Sequence, residues 1–270
     1  MTLRLAGPLL LVGAGKMGGA LLEGWLRQGL EPGRVFVRDP SPPPEVAALL
    51  ARHRIETARL PEAAAVIVIA VKPQLVAETL AALAAAIGKG TVVLSIAAGR
   101  TLASLAEPLP KGTAIVRAMP NTAAAVGRSM TVACANADVS REQALECSGL
   151  LEAIGEVIWL DDERLMDAVT AVSGSGPAYV FLLAECLAEA GREAGLDAKL
   201  ADRLARATVA GAGALLAKSD LSAAKLRENV TSPKGTTAAA LEVLMGAGGF
   251  RDLLVRAVAA AAKRSRELSS

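Results

Sequence analysis

The sequence has little of three residue types on which many enzymes depend. Its one histidine, His53, lies between two arginines in a charged stretch, so neither a Ser-His-Asp triad nor a histidine-rich metal site is available. The three cysteines, Cys134, Cys147 and Cys186, are widely spaced and form no C-x-x-C pair. A disulfide framework and a zinc site are therefore not supported. We expect no metal ion and a reducing compartment.

The chain also has only a small excess of one charge and few aromatic side chains. The 270 residues include 29 basic and 27 acidic side chains, and the aromatic residues are two tryptophans, one tyrosine and three phenylalanines. Nucleic-acid binders usually need a basic surface and stacking platforms, so we expect no nucleic-acid partner. With 53% hydrophobic and 21% charged residues, the chain is too rich in apolar side chains for a disordered protein.

The sequence also shows neither a signal pattern nor an unbroken uncharged run of membrane-spanning length. Residues 1–6 show no basic-then-apolar signal pattern, which predicts a cytoplasmic protein. The longest uncharged run, residues 168–184, is interrupted by Ser173-Gly174-Ser175-Gly176-Pro177. A helix must start afresh at this proline, so we expect no membrane span.

Two differently patterned parts make up the chain. Up to residue 162, short apolar runs alternate with helical stretches, which predicts a Rossmann doubly wound parallel sheet. The predicted strands are 9–12, 35–37, 66–71, 92–96, 114–117, 131–133 and 157–160. Residues 163–270 contain five predicted helices rich in small residues, including 233–245, and no convincing strand. We expect this all-helical domain to form a homodimer, because a thin layer of helices leaves apolar surface uncovered.

The first predicted strand runs directly into Gly13-Ala14-Gly15-Lys16-Met17-Gly18, a G-x-G-x-x-G motif followed by an amphipathic helix. Gly13 permits a tight turn, Gly15 lets the backbone approach a pyrophosphate, and Gly18 lets the helix lie close to the strand. The free amides and the helix dipole attract phosphate. We predict a dinucleotide site here, with a plain strand–helix turn as the alternative.

Cofactor preference depends on the end of the second strand. Asp39 lies 21 residues after Gly18, near the position where an acid accepts the ribose 2′-hydroxyl of NAD. Its neighbour Arg38 is suited to the 2′-phosphate of NADP. Capping of the turn Pro40-Ser41-Pro42 is an equally simple role for Asp39. NADPH and NADH therefore both remain open.

Further candidates follow the next strands, at the sheet edge where open α/β folds bind ligands. They are Ala70-Val71-Lys72-Pro73, Ala97-Ala98 and Asn121. Small and polar groups at these points leave room for a flat nicotinamide ring. Lys72 is a candidate acid, but a surface lysine that fixes the turn is the simpler interpretation.

Two unusual helix starts mark the helical half. Residues 173–179, S-G-S-G-P-A-Y, allow close approach of the backbone to another surface, with a tight interdomain turn as the alternative. In residues 231–237, T-S-P-K-G-T-T, Ser232 is expected to cap a helix whose first turn contains Pro233. The free amides and two threonine hydroxyls predict a seat for a carboxylate, with simple capping as the alternative.

Taken together, the motifs resemble those of pyrroline-5-carboxylate reductases over almost the whole chain. They are G-A-G-K-M-G, A-V-K-P-Q, S-I-A-A-G, R-A-M-P-N-T, D-A-V-T-A-V-S-G-S-G-P-A-Y and T-S-P-K-G-T-T-A-A-A-L. The last two are the specific ones, since the first fits many nicotinamide enzymes. β-Hydroxyacid dehydrogenases carry a lysine on the helix after the interdomain glycine motif, where this chain has Tyr179, Val180 and Phe181.

The resemblance implies a reductase of the last step of proline biosynthesis, with a helical domain that interleaves with its partner subunit and higher oligomers such as a decamer. It implies that residues 12–17, from Val12 to Met17, hold the pyrophosphate, and that Ala70–Pro73 and Ala97-Ala98 line the cofactor. It also implies that Asn229 reaches the cofactor from the helical half. Lys234 stands where the family usually has glycine, which indicates a local difference in the turn.

The substrate residues are likewise implied by the resemblance. They are Ser232, Gly235, Thr236 and Thr237, which would bind the carboxylate and ring nitrogen, and Asp220, contributed by the partner chain. Hydride from the nicotinamide reaches the C=N carbon of a protonated cyclic imine, the atom that becomes C5 of proline, without a strong enzymatic acid, so orientation carries the catalysis. Thr237 is the candidate catalytic residue, through a hydrogen bond to the nitrogen. The alternatives are another NAD(P)H-dependent imine or β-hydroxyacid reductase and a non-catalytic dinucleotide sensor.

Overall fold

A computed structural model of the chain describes residues 3, 5–57 and 60–269. The expectation about a signal segment therefore falls partly on Met1, Thr2 and Arg4, which lie outside the described residues. By contacts between Cα atoms, the chain divides into two units. The sheet unit comprises Met1–Gly174 and Ala262–Ser270, and the helical unit comprises Ser175–Ala261. The boundary expected at residues 162 and 163 stays a prediction.

The sheet unit contains a seven-stranded sheet in the order β2-β1-β3-β4-β5-β6-β7. The strands are β1 (Leu9–Val12), β2 (Val35–Arg38), β3 (Val66–Ile69), β4 (Val92–Ser95), β5 (Ala114–Met119), β6 (Ser129–Ala135) and β7 (Gly155–Trp159). A single parallel bridge between Phe36 and Glu56 extends the edge beside β2, where the Rossmann order has a third strand. The Rossmann-type α/β class predicted for this part is confirmed.

One strand departs from the expected parallel sheet. β6 runs antiparallel to β5, with Met119 opposite Val132, and β7 is then parallel to β6. The connection of residues 120–128 holds a short 3₁₀ turn, Thr122–Val126. A parallel crossover needs about a dozen residues or more, so this connection can only reverse the chain. The sheet is therefore mostly parallel.

Helices cover both faces of the sheet. The helices of this unit are α1 (Lys16–Arg27), α2 (Pro44–His53), α3 (Val76–Leu83), α4 (Leu102–Ala106), α5 (Arg141–Glu152) and α6 (Met166–Val169). Leu9 and Leu11 of β1 lie in one apolar cluster with side chains of α1, α2 and α5, whereas Leu10 and Val12 lie in another with α3 and α4. Because side chains alternate along a strand, β1, β3 and β4 are buried along their whole length.

The helical unit has no strand among the described residues. Its helices are α7 (Gly176–Glu193), α8 (Ala198–Lys218), α9 (Ala223–Asn229), α10 (Thr236–Met245) and the first part of α11 (Phe250–Ser269). The chain enters α7 from a π-helix, Thr170–Gly174, and a break at Ser175. The new helix start expected near Pro177 is thus found at Gly176.

The expected start of α10 is wrong. α10 begins at Thr236, and Gly235, not Ser232, is its N-cap. The amide of Gly235 donates to the carbonyl of Ser232 at 3.0 Å, and Lys234 has a φ of +59°. A left-handed residue cannot continue a right-handed helix, so residues 232–235 form a β-turn ahead of α10.

One described stretch has the length and composition of a membrane-crossing helix. It is Glu163–Glu193, which includes the π-helix and the break at Ser175. A single stretch of this kind is a weak indication, since an apolar helix of a soluble protein meets the same criteria. The absence of a membrane span in residues 168–184 stays a prediction.

Candidate active site

A cleft of about 490 Å³ opens at the carboxyl ends of β1, β2 and β3. The strand order reverses beside β1, and open α/β sheets bind ligands at such a switch point. The predicted cofactor residues that line this cleft are Val12, Gly13, Gly15, Arg38, Asp39, Ala70, Val71 and Lys72. Another wall is formed by Leu75, directly before α3, and by Glu78, Thr79 and Ala82 of α3. The structure therefore brings together residues from three separate connections.

The three glycines of the loop have different surroundings. Gly13 has a φ of +88°, and a Cβ added there would lie 2.7 Å from the carbonyl oxygen of Ala70. A Cβ on Gly18 would collide with the carbonyl oxygen of Gly13. In contrast, a Cβ on Gly15 would meet no protein atom within 4 Å. Gly13 and Gly18 thus serve the packing of the loop, whereas Gly15 faces space that a ligand can fill.

Unpaired amides at the start of α1 face the same region. α1 begins at Lys16, and its N-cap Gly15 offers no side-chain hydrogen bond. The first amides of a helix have no acceptor within the helix, and the helix dipole adds positive potential there. Residues 16–18 therefore present backbone donors suited to a pyrophosphate. The residues present fit a dinucleotide.

Asp39 is held by the backbone of the glycine-rich loop. Its Oδ2 accepts a hydrogen bond from the Ala14 amide at 2.6 Å, and its Oδ1 accepts one from the Ser41 amide at 2.8 Å. The capping role that the sequence left open is thus present, and it extends to the loop itself. Arg38 is exposed at the rim of the same cleft. Both residues line the cleft, and the choice between NADPH and NADH remains open.

The connections after β3 and β4 are tied together by a residue that sequence reasoning missed. Arg100 donates from Nε and Nη2 to the carbonyl oxygen of Pro73, at 2.9 and 2.7 Å. Ala97 is buried and Ala98 is exposed in the turn that precedes it. Lys72 is also exposed and is the N-cap of the following 3₁₀ turn, where its side chain makes no capping hydrogen bond, so its role in fixing the turn stays a prediction. The position of Arg100 directly after the S-I-A-A-G motif was the available signal.

Asn121, after β5, has both side-chain groups engaged. Its Oδ1 accepts from the Ala123 amide at 3.2 Å, and its Nδ2 donates to Ser173 Oγ at 3.2 Å. The hydroxyl of Ser173 in turn donates to the carbonyl oxygen of Met130 at 3.3 Å. Asn121 therefore connects the sheet edge with the π-helix, which is a positional role.

A partly buried ion pair, also missed from the sequence, fixes the segment that leads to the π-helix. Arg117 of β5 is 5% exposed, and its Nη1 lies 2.8 Å from Glu163 Oε1. The same carboxylate oxygen accepts from the Leu102 amide at 2.7 Å. Removal of Glu163 would leave the buried charge of Arg117 without its carboxylate, which is destabilising.

In the helical unit, four of the predicted substrate residues, Ser232, Gly235, Thr236 and Thr237, lie in the turn before α10 and in its first turn. A Cβ on Gly235 would lie against Ser232 Oγ and 3.1 Å from the Ser232 carbonyl oxygen, so the Ser232 hydroxyl lies beside the start of α10. The N-cap makes no side-chain hydrogen bond, which leaves the first amides of α10 available. Ser232 and Thr236 are exposed, and Thr237 is half-buried. Asp220 is exposed in the α8–α9 connection, and Asn229 ends α9.

A second, larger depression lies elsewhere in the sheet unit. It measures about 660 Å³ and is lined by turns at the amino ends of β4 and β5, including Lys89 and Lys111, and by Gln143 of α5. None of the predicted site residues lies there. Ligands of open α/β sheets bind at the carboxyl ends, so volume does not identify the site.

Comparisons with known proteins match both parts of the chain. Residues 163–268 match the family model "Pyrroline-5-carboxylate reductase dimerisation", and residues 9–99 match "NADP oxidoreductase coenzyme F420-dependent". The chain is 40% identical over 261 residues to pyrroline-5-carboxylate reductase of Pseudomonas aeruginosa, covering 96% of this chain and 95% of the relative. The Pisum sativum reductase is 40% identical over 264 residues, covering 96% and 94%.

Two solved structures share the whole fold. The pyrroline-5-carboxylate reductase of Coxiella burnetii superposes with a TM-score of 0.90 at 33% identity, covering 98% of this chain and 99% of that one. The Plasmodium falciparum pyrroline carboxylate reductase, solved with NADP bound, has a TM-score of 0.81 at 29% identity and full coverage of both chains.

Proposed function

The chain belongs to the pyrroline-5-carboxylate reductase family, and we propose that its two units divide the reaction between cofactor and substrate. The enzyme reduces the C=N bond of 1-pyrroline-5-carboxylate with NADPH or NADH and yields L-proline, the last step of proline biosynthesis. In this proposal the sheet unit binds the dinucleotide and the helical unit binds the imine.

The pyrophosphate lies on residues 12–18 in this proposal. The open space beside Gly15 and the free amides of α1 are the observations that support it. The nicotinamide lies towards Ala70–Pro73, Ala97, Ala98 and Asn121, with Asn229 reaching it from the helical unit. The bound cofactor supplies the hydride. The protein contributes the orientation, and no strong acid is needed because the imine is protonated in solution.

The substrate carboxylate lies on the first amides of α10 and on the hydroxyls of Ser232 and Thr236. Two features support this site: the Ser232 hydroxyl lies beside Gly235 at the helix start, and no side chain caps the helix. Thr237 holds a hydrogen bond to the ring nitrogen. Asp220 approaches from the partner subunit. Hydride transfer requires the substrate site and the nicotinamide to lie next to each other in the active oligomer.

The chain is a homo-oligomer, and we propose that its helical unit forms the homodimer and that dimers build a larger assembly such as a decamer. The support is the apolar surface of α7 and α8, which includes Val180 and Phe181. A cytoplasmic location and the absence of membrane partners are also part of the proposal. The free state of all three cysteines supports a reducing compartment.

Replacement of Thr237 tests this division. Thr237→Ala should raise KM for the imine about tenfold or more and leave the dissociation constant of NADPH unchanged, because the hydroxyl contacts only the substrate. Steady-state kinetics and calorimetric titration with NADPH measure the two quantities. Thr208→Ala, an exposed threonine on α8, is the matched control. Equal losses for substrate and cofactor would contradict the assigned role.

A further inference from the structure

The last turns of α11 belong with the sheet unit, although the first part of this helix belongs to the helical unit. Ser265 is 4% exposed, and its hydroxyl donates to Asp167 Oδ1 at 2.6 Å. The flanking Arg264 and Arg266 are exposed. A buried hydroxyl paired with a carboxylate is a specific contact, since burial without a partner would be costly.

A second contact joins the same helix end to the turn after β4. Gly99 has a φ of +69°, and a Cβ added there would lie 3.3 Å from the Cβ of Leu268 and 3.5 Å from its carbonyl oxygen. The last described turn of α11 thus lies against the backbone of Gly99. This glycine directly follows Ala97 and Ala98, which belong to the proposed cofactor site.

From these two contacts, chains of interactions lead to three connections at the ligand edge of the sheet. Gly99 precedes Arg100, which holds the carbonyl oxygen of Pro73 after β3. On the other side, Asp167 belongs to α6, which continues into the π-helix. Ser173 of the π-helix holds Asn121 after β5. The helix end therefore contacts the connection after β4 directly and is linked to the connections after β3 and β5 through Arg100 and Ser173.

We propose that residues 262–268 position the nicotinamide end of the cofactor site, with Ser265 and Leu268 as positioning residues that set the affinity for the dinucleotide. The inference rests on the proposed cofactor site. Connections between strands and helices are the least restrained backbone of an α/β fold. Contacts that order them before binding reduce the entropy lost when the cofactor binds. A segment about 170 residues distant in sequence from Gly99 thus supports its affinity.

Titration of the oligomeric protein with NADPH and with NADH, followed by calorimetry, tests the proposal. Truncation after Ala261 and the single substitutions S265A and L268A should raise the dissociation constant, by about tenfold for the truncation and less for each substitution. The exposed control R266A should bind like the unmodified chain. Asp167→Asn keeps an acceptor for Ser265 and should also bind normally, whereas Asp167→Ala should resemble S265A.

Sedimentation velocity and thermal unfolding accompany each titration. If S265A and L268A lower the melting temperature but leave the dissociation constant unchanged, their role is only structural and the inference is overturned. An unmodified chain that binds neither NADPH nor NADH would overturn the proposed cofactor site, and this inference with it. Normal binding by the unmodified chain and equally tight binding by the truncated oligomer would overturn this inference alone.

Discussion

The two units differ in how far they bury their apolar side chains. In the sheet unit, β1, β3 and β4 are buried from end to end. Within residues 175–261, the buried apolar side chains are those of Ala188, Ala201 and Ala205. Phe181 is 67% exposed and Val243 is 77% exposed. Apolar burial is the main favourable term in folding, so the sheet unit completes its core within one chain and the helical unit needs a second surface.

This difference in burial affects the proposed cofactor site and the proposed substrate site differently. The proposed cofactor cleft is built from strand ends that a single chain orders. The proposed substrate site lies at the start of α10. This helix belongs to the helical unit, whose apolar surface is exposed in a single chain. Substrate use should therefore depend on assembly more strongly than cofactor binding does.

The largest expected effect comes from a charge on the uncovered surface. Phe181→Glu should dissociate the oligomer and abolish turnover, since loss of a central aromatic anchor costs about 2–4 kcal/mol of association free energy. Sedimentation equilibrium and steady-state assays measure both. Leu145→Glu is the matched control, because Leu145 is similarly exposed, at 63%, on α5 of the sheet unit. If F181E keeps the oligomer, the exposed apolar surface around Phe181 is not needed for assembly, and the contrast between the two units is wrong.

Two alanine substitutions in the glycine-rich loop distinguish packing from ligand contact. Gly13→Ala should lower the free energy of unfolding by about 1–3 kcal/mol, because the left-handed backbone and the Ala70 carbonyl oppose a side chain. Gly15→Ala should keep the stability of the parent chain and weaken NADPH binding about tenfold or more, since its methyl group enters the ligand space. Urea unfolding and calorimetry check the pair. Unchanged affinity in G15A would place the pyrophosphate elsewhere.

Each unit has one non-glycine residue at positive φ among the described residues, which permits a matched test. Arg54, at 52°, ends α2 in the sheet unit, and Lys234, at 59°, lies in the turn before α10. Arg54→Gly and Lys234→Gly should each raise the free energy of unfolding by about 0.5–1 kcal/mol, because glycine avoids the left-handed penalty at some cost in chain entropy. A destabilised K234G would show that the lysine side chain supports its turn.

The smallest expected effect concerns the reactivity of the cysteine thiols. Burial, with a contribution from Glu163, raises the pKa of Cys134 to about 11, and burial raises the pKa of Cys147 to about 12. Cys186 of the helical unit is exposed. A thiol reagent at pH 8 should therefore leave Cys134 and Cys147 unlabelled in the native protein and label all three cysteines in urea.

The sign of the pH dependence follows from the same two groups. Below their ordinary pKa of 9.0, both thiols are protonated in the folded and unfolded chains, so their contribution to stability is fully present. As pH rises from 9 through the raised folded pKa values, the unfolded chain ionises first and stability falls. Chemical unfolding at several pH values measures this decline, and a C134A/C147A chain should show less of it.

Several local features were predictable because they depend on neighbours in sequence. β1 was predicted with its observed bounds, since an uninterrupted apolar run ended by glycine has few other structures. The break before α7 follows from proline and glycine in the same way. The antiparallel β6 and the late start of α10 were not predicted. Both depend on backbone angles within short connections, which residue type alone leaves open.

By itself, the sequence determined the class of fold, the glycine-rich loop, the family motifs and the apolar surface of the helical half, because periodicity and backbone preference act over a few residues. Only the tertiary structure decided that Asp39 binds the amide of Ala14, that Arg117 pairs with Glu163, and that Ser265 reaches Asp167. Each of these contacts joins residues 25 or more positions apart. Such pairs meet through packing of whole elements, which no local pattern records.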